Sequence, residues 1–113
     1  MTLSIDAALK AADGRSATIS CPEWGGDVCL STMSSAKFDE FEARLTFGKD
    51  SPELLAGLRA AYVAACWADT NGKRQPVTAE QLSKLGEKSP AVIGRLFDAA
   101  CELNNDIEPA EKN

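Results

Sequence analysis

The feature that most constrains this chain is a change of period. Residues 15 to 33 alternate apolar and polar side chains, whereas the segments on either side repeat theirs every three or four positions. In RSATISC, Ala17, Ile19 and Cys21 share one face and Ser16, Thr18 and Ser20 the other; in DVCLSTM, Val28, Leu30 and Thr32 alternate with Cys29, Ser31 and Met33. Period two with β-branched residues predicts two strands. In the connection PEWGG, Pro22 lacks a backbone donor and Gly25-Gly26 supply turn conformations, so an antiparallel hairpin is the simplest joining. A lone hairpin is marginal in water, so helices must cover one of its faces.

The flanking segments supply those helices. Ser4 is a candidate N-cap for a helix over residues 4–13, with Ile5, Ala8, Leu9 and Ala12 as its stripe and Gly14 as its end. After Ser34, Phe38, Phe41 and Leu45 fall on one face of a second helix, which FGKDSP interrupts. Ser51-Pro52 then reads as N-cap and first helical position, opening a helix over 52–67. Its stripe is Leu54, Leu58, Ala61, Tyr62 and Ala65, with Leu55 and Cys66 beside it. A helix this apolar all round belongs in the core or against a second chain. In VTAEQL, Thr78 and Gln81 form a capping box and Val77 and Leu82 a hydrophobic staple. That helix stops at Gly86, and Ser89-Pro90 opens the last one, with Val92, Ile93, Leu96, Phe97, Ala100 and Cys101 as its apolar face. The expected fold is therefore α+β, a mostly helical single domain over residues 1–105, with an N-terminal helix, one antiparallel hairpin, about four further helices and a polar tail at 106–113. Its expected core comprises Leu9, Ile19, Val28, Leu30, Phe38, Phe41, Leu45, Leu55, Leu58, Tyr62, Leu82, Ile93, Leu96 and Phe97.

Composition narrows the function. The 113 residues contain no histidine and four cysteines without a CxxC pair. A zinc site is not expected, and in a reducing cytoplasm the cysteines read as small buried thiols; the pairing of Cys21 with Cys29 across the hairpin stays open. DTNGK resembles part of a calcium loop, but a loop with its glycine at Gly72 would begin at Trp67 and end at Thr78, neither of which supplies the needed carboxylate. No apolar run approaches the roughly 20 residues of a membrane helix, and the N-terminal residues lack the pattern of a secretory signal, so a cytoplasmic protein is expected. The net charge of −5 opposes general phosphate-backbone binding, and the basic residues are scattered, with only Lys73-Arg74 adjacent, after a turn.

Catalysis is not expected either. The usual general base is missing, a cysteine nucleophile lacks its histidine, and neither a phosphate loop nor a dinucleotide fingerprint occurs. Asp39, Glu40 and Glu42 share a helix with Lys37 and Arg44 and read as a solvated face. No cofactor, metal or small-molecule substrate is expected. A protein-binding role fits better, with Trp24 and Trp67 as the candidate contacts, because tryptophan buries much area with few rotamers. Trp24 has two readings, a lid folded over the sheet or an exposed anchor; Trp67 ends the buried helix and is expected to pack.

PEWGGDV after a strand, then FDEFEARL, RAAYVAACWADTNGKR and the closing LGEKSPAVIGRLFDAACELN with its terminal EKN, resemble in order and spacing the tail assembly chaperones of long-tailed bacteriophages and prophages. The resemblance runs from about residue 3 to residue 113. It implies a non-enzymatic protein that binds the tape measure protein before the tail tube polymerises, keeps it soluble, helps recruit tail tube subunits and is absent from the finished virion. It also implies a longer product made by a −1 ribosomal frameshift. Glu111-Lys112-Asn113 can be encoded by GAA AAA AAC, which holds a slippery run; a gene with interrupted A-runs there and no overlapping −1 frame would exclude it. Multi-copy coating of the client, and hence weak self-association, is expected. The alternative is a small DNA-binding regulatory domain reading with the hairpin or the last helix pair, whose signature would be a basic face around Arg15, Lys73 and Arg74.

Overall fold

The structure is a computed structural model that describes residues 2–48 and 56–105. β1 (Ser16–Cys21) and β2 (Gly26–Ser31) form the antiparallel hairpin that the alternation predicts. Ser16 lies opposite Ser31 and Cys21 opposite Gly26, which brings Ala17, Ile19 and Cys21 to the same face as Val28 and Leu30. Cys29 lies opposite Thr18, on the other face, so Cys21 and Cys29 are not neighbours; all four cysteines are free thiols. The connection is a single 3-10 turn, Pro22–Trp24, closed by Gly25 at φ +82°, whose N–H donates to the Pro22 carbonyl at 3.1 Å. A residue with a Cβ would be strained at that φ.

A third strand, β3 (Trp67–Ala68), pairs antiparallel with β2, placing Trp67 opposite Leu30 and Ala68 opposite Cys29 in a sheet of order β1-β2-β3. The sequence reading has no strand there and ends a helix at Trp67 instead. Two residues carry no readable period, and this strand exists because the chain doubles back, with the Gln75 N–H donating to the Trp67 carbonyl at 2.9 Å.

Five helices are described. α1 (Ile5–Lys10) is capped by Ser4, whose hydroxyl accepts from the Ala7 N–H, as expected, but it ends at Ala11 rather than Gly14. None of its residues is buried, and Leu9, expected in the core, is 75% exposed. α2 (Ser35–Phe47) is capped by Ser34. α3 (Leu58–Cys66) is shorter than the helix read over 52–67, because Gly57 adopts φ +71° and interrupts the helical path. The cap at Ser51-Pro52, the stripe residue Leu54, the core assignment of Leu55 and the tail at 106–113 lie outside the described residues. α4 (Ala79–Leu85) has the full capping box: the Thr78 hydroxyl accepts from the Gln81 N–H and the Gln81 side chain accepts from the Thr78 N–H. α5 (Pro90–Asn104) starts at Ser89-Pro90 as read.

The core lies between the inner face of the sheet and α3 and α5. Leu30, Val63, Leu96, Cys21 and Cys66 are its largest fully buried side chains. Six of the nine residues of α3 are buried, which makes it the central helix that its uniform hydrophobicity predicts. Tyr62 stacks between α2 and α5, with its ring 5.1 Å from both Phe41 and Phe97. Ile19, Phe38, Leu82 and Phe97 are half-buried. Leu45 is a second correction to the expected core: α2 is anchored at Phe41, and its last turn leaves Leu45 43% and Phe47 73% exposed.

Candidate protein-docking surfaces

The two tryptophans occupy separate places. Trp24 sits on the turn at the hairpin tip, half-buried against the core, with the Lys88 ammonium 5.8 Å above its ring. Its neighbour Glu23 fixes the turn: the Arg95 guanidinium of α5 donates to both Glu23 oxygens, at 2.7 and 2.9 Å. This bidentate hydrogen bonding holds the Glu23 carboxyl well below its ordinary value, at about 2, and raises Arg95. Both side chains are nearly half exposed, so solvent screens the pair and its value lies more in orientation than in energy. Trp24 is thus held from below by the core and from the side by an ion pair linking the turn to α5.

Trp67 lies at the other end of β2. It is also half-buried, and it walls a shallow groove of about 270 Å3 with Pro76, Val77 and Leu85; Trp24 does not line this groove. A second groove, of about 500 Å3, runs between α2 and α3, with Phe41, Ala61, Ala65, Pro76 and Leu82 among its lining residues. The small side chains of α3 open this groove, and Lys37 and Arg44 stand over the Phe41 ring at its edge, 5.9 and 5.7 Å from the centroid.

The interior offers packing rather than reactive groups. Burial raises the Cys66 and Cys101 thiols above their ordinary values and keeps them protonated, which makes them poor nucleophiles. The Tyr62 hydroxyl lies near those thiols and Asn104 without reaching hydrogen-bond geometry, and burial raises it too. Asn104 is the polar clasp of this region. Its carbonyl oxygen accepts from the Met33 N–H at 2.9 Å, and its amide donates to the Ala100 carbonyl at 2.9 Å and the Cys66 sulfur at 3.2 Å.

Two further surfaces emerge from the fold. The first is apolar: Leu3, Ile5 and Leu9, each more than 70% exposed, on and beside α1, with Phe47 similarly exposed at the end of α2. For Ile5 and Leu9 the signal is the stripe of α1, of which the sequence reading assigned Leu9 to the core; Leu3 and Phe47 carried none. The second is basic. Arg15, Lys73 and Arg74 line one cleft of about 840 Å3, together with the first residues of α2. The sequence reading names these three residues as the basic face that the DNA-binding alternative requires; what it lacks is the cleft itself, whose apolar lining and α2 start come together only in the fold.

The class defined by these features is a small α+β protein: a three-stranded antiparallel sheet covered on one face by helices, with apolar side chains left exposed on its N-terminal helix. Among the described residues, no helix is long and apolar enough to cross a membrane. No protein-family model matches the chain, and no curated protein does. Among solved structures, the tail assembly chaperone of bacteriophage HK97 has this fold, with a TM-score of 0.61 at 20% identity over 88% of this chain and 89% of that chain.

Proposed function

We propose that this chain is a tail assembly chaperone of a long-tailed bacteriophage or prophage. In this reading it is a non-enzymatic protein that binds the tape measure protein, keeps it soluble and helps recruit tail tube subunits. The observation that carries the reading is the likeness of fold to the HK97 chaperone over nearly nine-tenths of both chains. Two physical features support it. Exposed apolar residues on α1 and at the end of α2 offer what a holding protein needs for an aggregation-prone client, and a net charge of −5 keeps the complex soluble through self-repulsion. Several copies along one client would hold it through weak individual contacts, so weak self-association belongs to the reading. So do residence in the host cytoplasm, absence from the virion and a frameshift-extended form that engages the tail tube. Trp24 and Trp67 remain candidate contacts, Trp67 through its groove and Trp24 through the face it leaves uncovered.

Co-expression with the tape measure protein tests the proposal. The client is expected in the soluble fraction only when this chain is present; equal solubility without it contradicts the reading. Abundant copies in purified particles, measured by mass spectrometry, would identify a virion subunit instead. The DNA-binding reading gains one observation, the convergence of Arg15, Lys73 and Arg74 on one cleft, while the net charge opposes it. It requires duplex affinity that falls steeply with salt, and absence of duplex binding at low salt removes it.

A further inference from the structure

We infer that the cleft between the α1–β1 link, the start of α2 and the turn at 69–74 is a docking site for an acidic, partly apolar segment of a protein partner. The chain carries a net charge of −5, yet among the described residues Lys73 and Arg74 line this cleft beside Arg15, and the acid in the lining is Asp13. Ser34 and Ser35 add the N-terminus of α2, a 13-residue helix with no acidic residue in its first turn, whose dipole favours negative charge. Phe38 and Leu103, both half-buried, and buried Met33 supply apolar lining.

Hydrogen bonds fix the backbone that carries the three cations. The Arg15 carbonyl accepts from the Thr32 N–H at 2.9 Å and from the Ser31 hydroxyl at 3.2 Å, and the Arg15 N–H donates to the Thr32 hydroxyl at 3.3 Å. The Asp69 carboxylate accepts from the Asn71 and Lys73 N–H groups at 2.8 and 3.0 Å, and Arg74 bridges back to Ala68. Gly72 allows the turn to seat against β1: its φ is +78°, and a Cβ there would stand 3.0 Å from the Ser16 hydroxyl. The backbone of the cleft is therefore set before any partner arrives, which leaves only the exposed side chains to be ordered on binding.

Acidic protein suits this cleft better than nucleic acid. Exposed Asp39, Glu40 and Glu42 follow on α2, the helix whose start opens on the cleft, and would repel a phosphate backbone continuing past it. A short segment with carboxylates for the cations and an apolar side chain for the lining ends before reaching them. The inference deepens the chaperone reading by naming the chemistry of a client segment, but it requires only that the partner be a protein.

The test uses the full chain and four labelled probes: a short Glu/Leu peptide, its Gln/Leu counterpart, and single-stranded and duplex oligonucleotides, each followed by fluorescence anisotropy. The Glu/Leu peptide is expected to bind at low salt, and the Gln/Leu peptide to bind roughly tenfold more weakly or not at all. Arg15→Glu combined with Arg74→Glu is expected to lower the affinity for the acidic peptide by about tenfold or more. Lys84→Glu, on exposed α4, is expected to leave it unchanged. Should the double variant lose its fold, Lys73→Gln serves instead, because that turn is tied through the Lys73 backbone. Failure of the Glu/Leu peptide to bind, equal binding of both peptides, indifference to these substitutions, or tighter binding of an oligonucleotide each overturns the inference. Co-expression solubility of the tape measure protein is a separate readout, so the cleft and the chaperone reading can fail independently.

Discussion

α1 and α5 carry the same kind of apolar stripe and meet opposite fates. In α5, Val92, Ile93, Leu96 and Ala100 are all buried against the sheet and α3. In α1, the Ile5, Ala8, Leu9 pattern buries nothing, and its two large side chains are more than 70% exposed. Both helices have their N-caps, so local signals do not separate them. The difference is what each can lie against. α5 spans 15 residues and covers the inner face of the sheet beside α3, whereas α1 has six residues and ends at Ala11, before the chain enters the outer strand β1. Periodicity states that a helix has an apolar face; it does not state that the face is satisfied within the same chain. An apolar face left open is a natural docking surface.

Substitutions along these two helices sharpen the contrast. The largest expected effect is Leu96→Ala in α5, which opens a cavity at a fully buried position and should cost about 2–5 kcal/mol in chemical denaturation. Trp24→Ala should cost less, roughly 1–3 kcal/mol, because half-burial removes part of the 3–5 kcal/mol typical of a core aromatic. If stability is unchanged while client binding is lost, Trp24 is an anchor rather than a lid.

Smaller still is the Glu23–Arg95 clasp. The folded carboxyl is depressed from 4.5 to about 2, so the pair stabilises the fold above the unfolded value and loses its contribution as pH falls through the folded one. Glu23→Gln should therefore lower the melting temperature slightly at neutral pH, with a deficit that shrinks between pH 4.5 and about 2; a deficit independent of pH would assign the effect to packing. The smallest stability effect belongs to α1. Ile5→Asp with Leu9→Asp should change stability by less than about 0.5 kcal/mol, and a larger loss would mean that α1 packs against the body of the protein.

Sequence reasoning recovered what local chemistry decides. The hairpin follows from alternation over residues 15–33, and the caps at Ser4, Thr78 and Ser89 from residue type and spacing. It did not recover what depends on distant partners. β3 is two residues long and exists only because β2 lies beside it. The break at Gly57 sits inside an apolar run that otherwise reads as continuous helix. Leu45 shares a face with buried Phe41 but lies one turn beyond the stack on Tyr62. The candidate surfaces divide in the same way. Trp24 and Trp67 stood out by residue type, and Arg15, Lys73 and Arg74 were named as a basic face, whereas the cleft they line with Phe38, Leu103 and the start of α2 needed the fold.

The most direct test of the central claim, that the open face of α1 holds a client, is a solubility assay. The tape measure protein is co-expressed with either the unaltered chain or the Ile5→Asp/Leu9→Asp variant, and its soluble fraction is measured while the variant's melting curve confirms an intact fold. The account predicts a soluble client with the unaltered chain and an aggregated client with a variant that melts normally. A client kept equally soluble by the folded variant would contradict it.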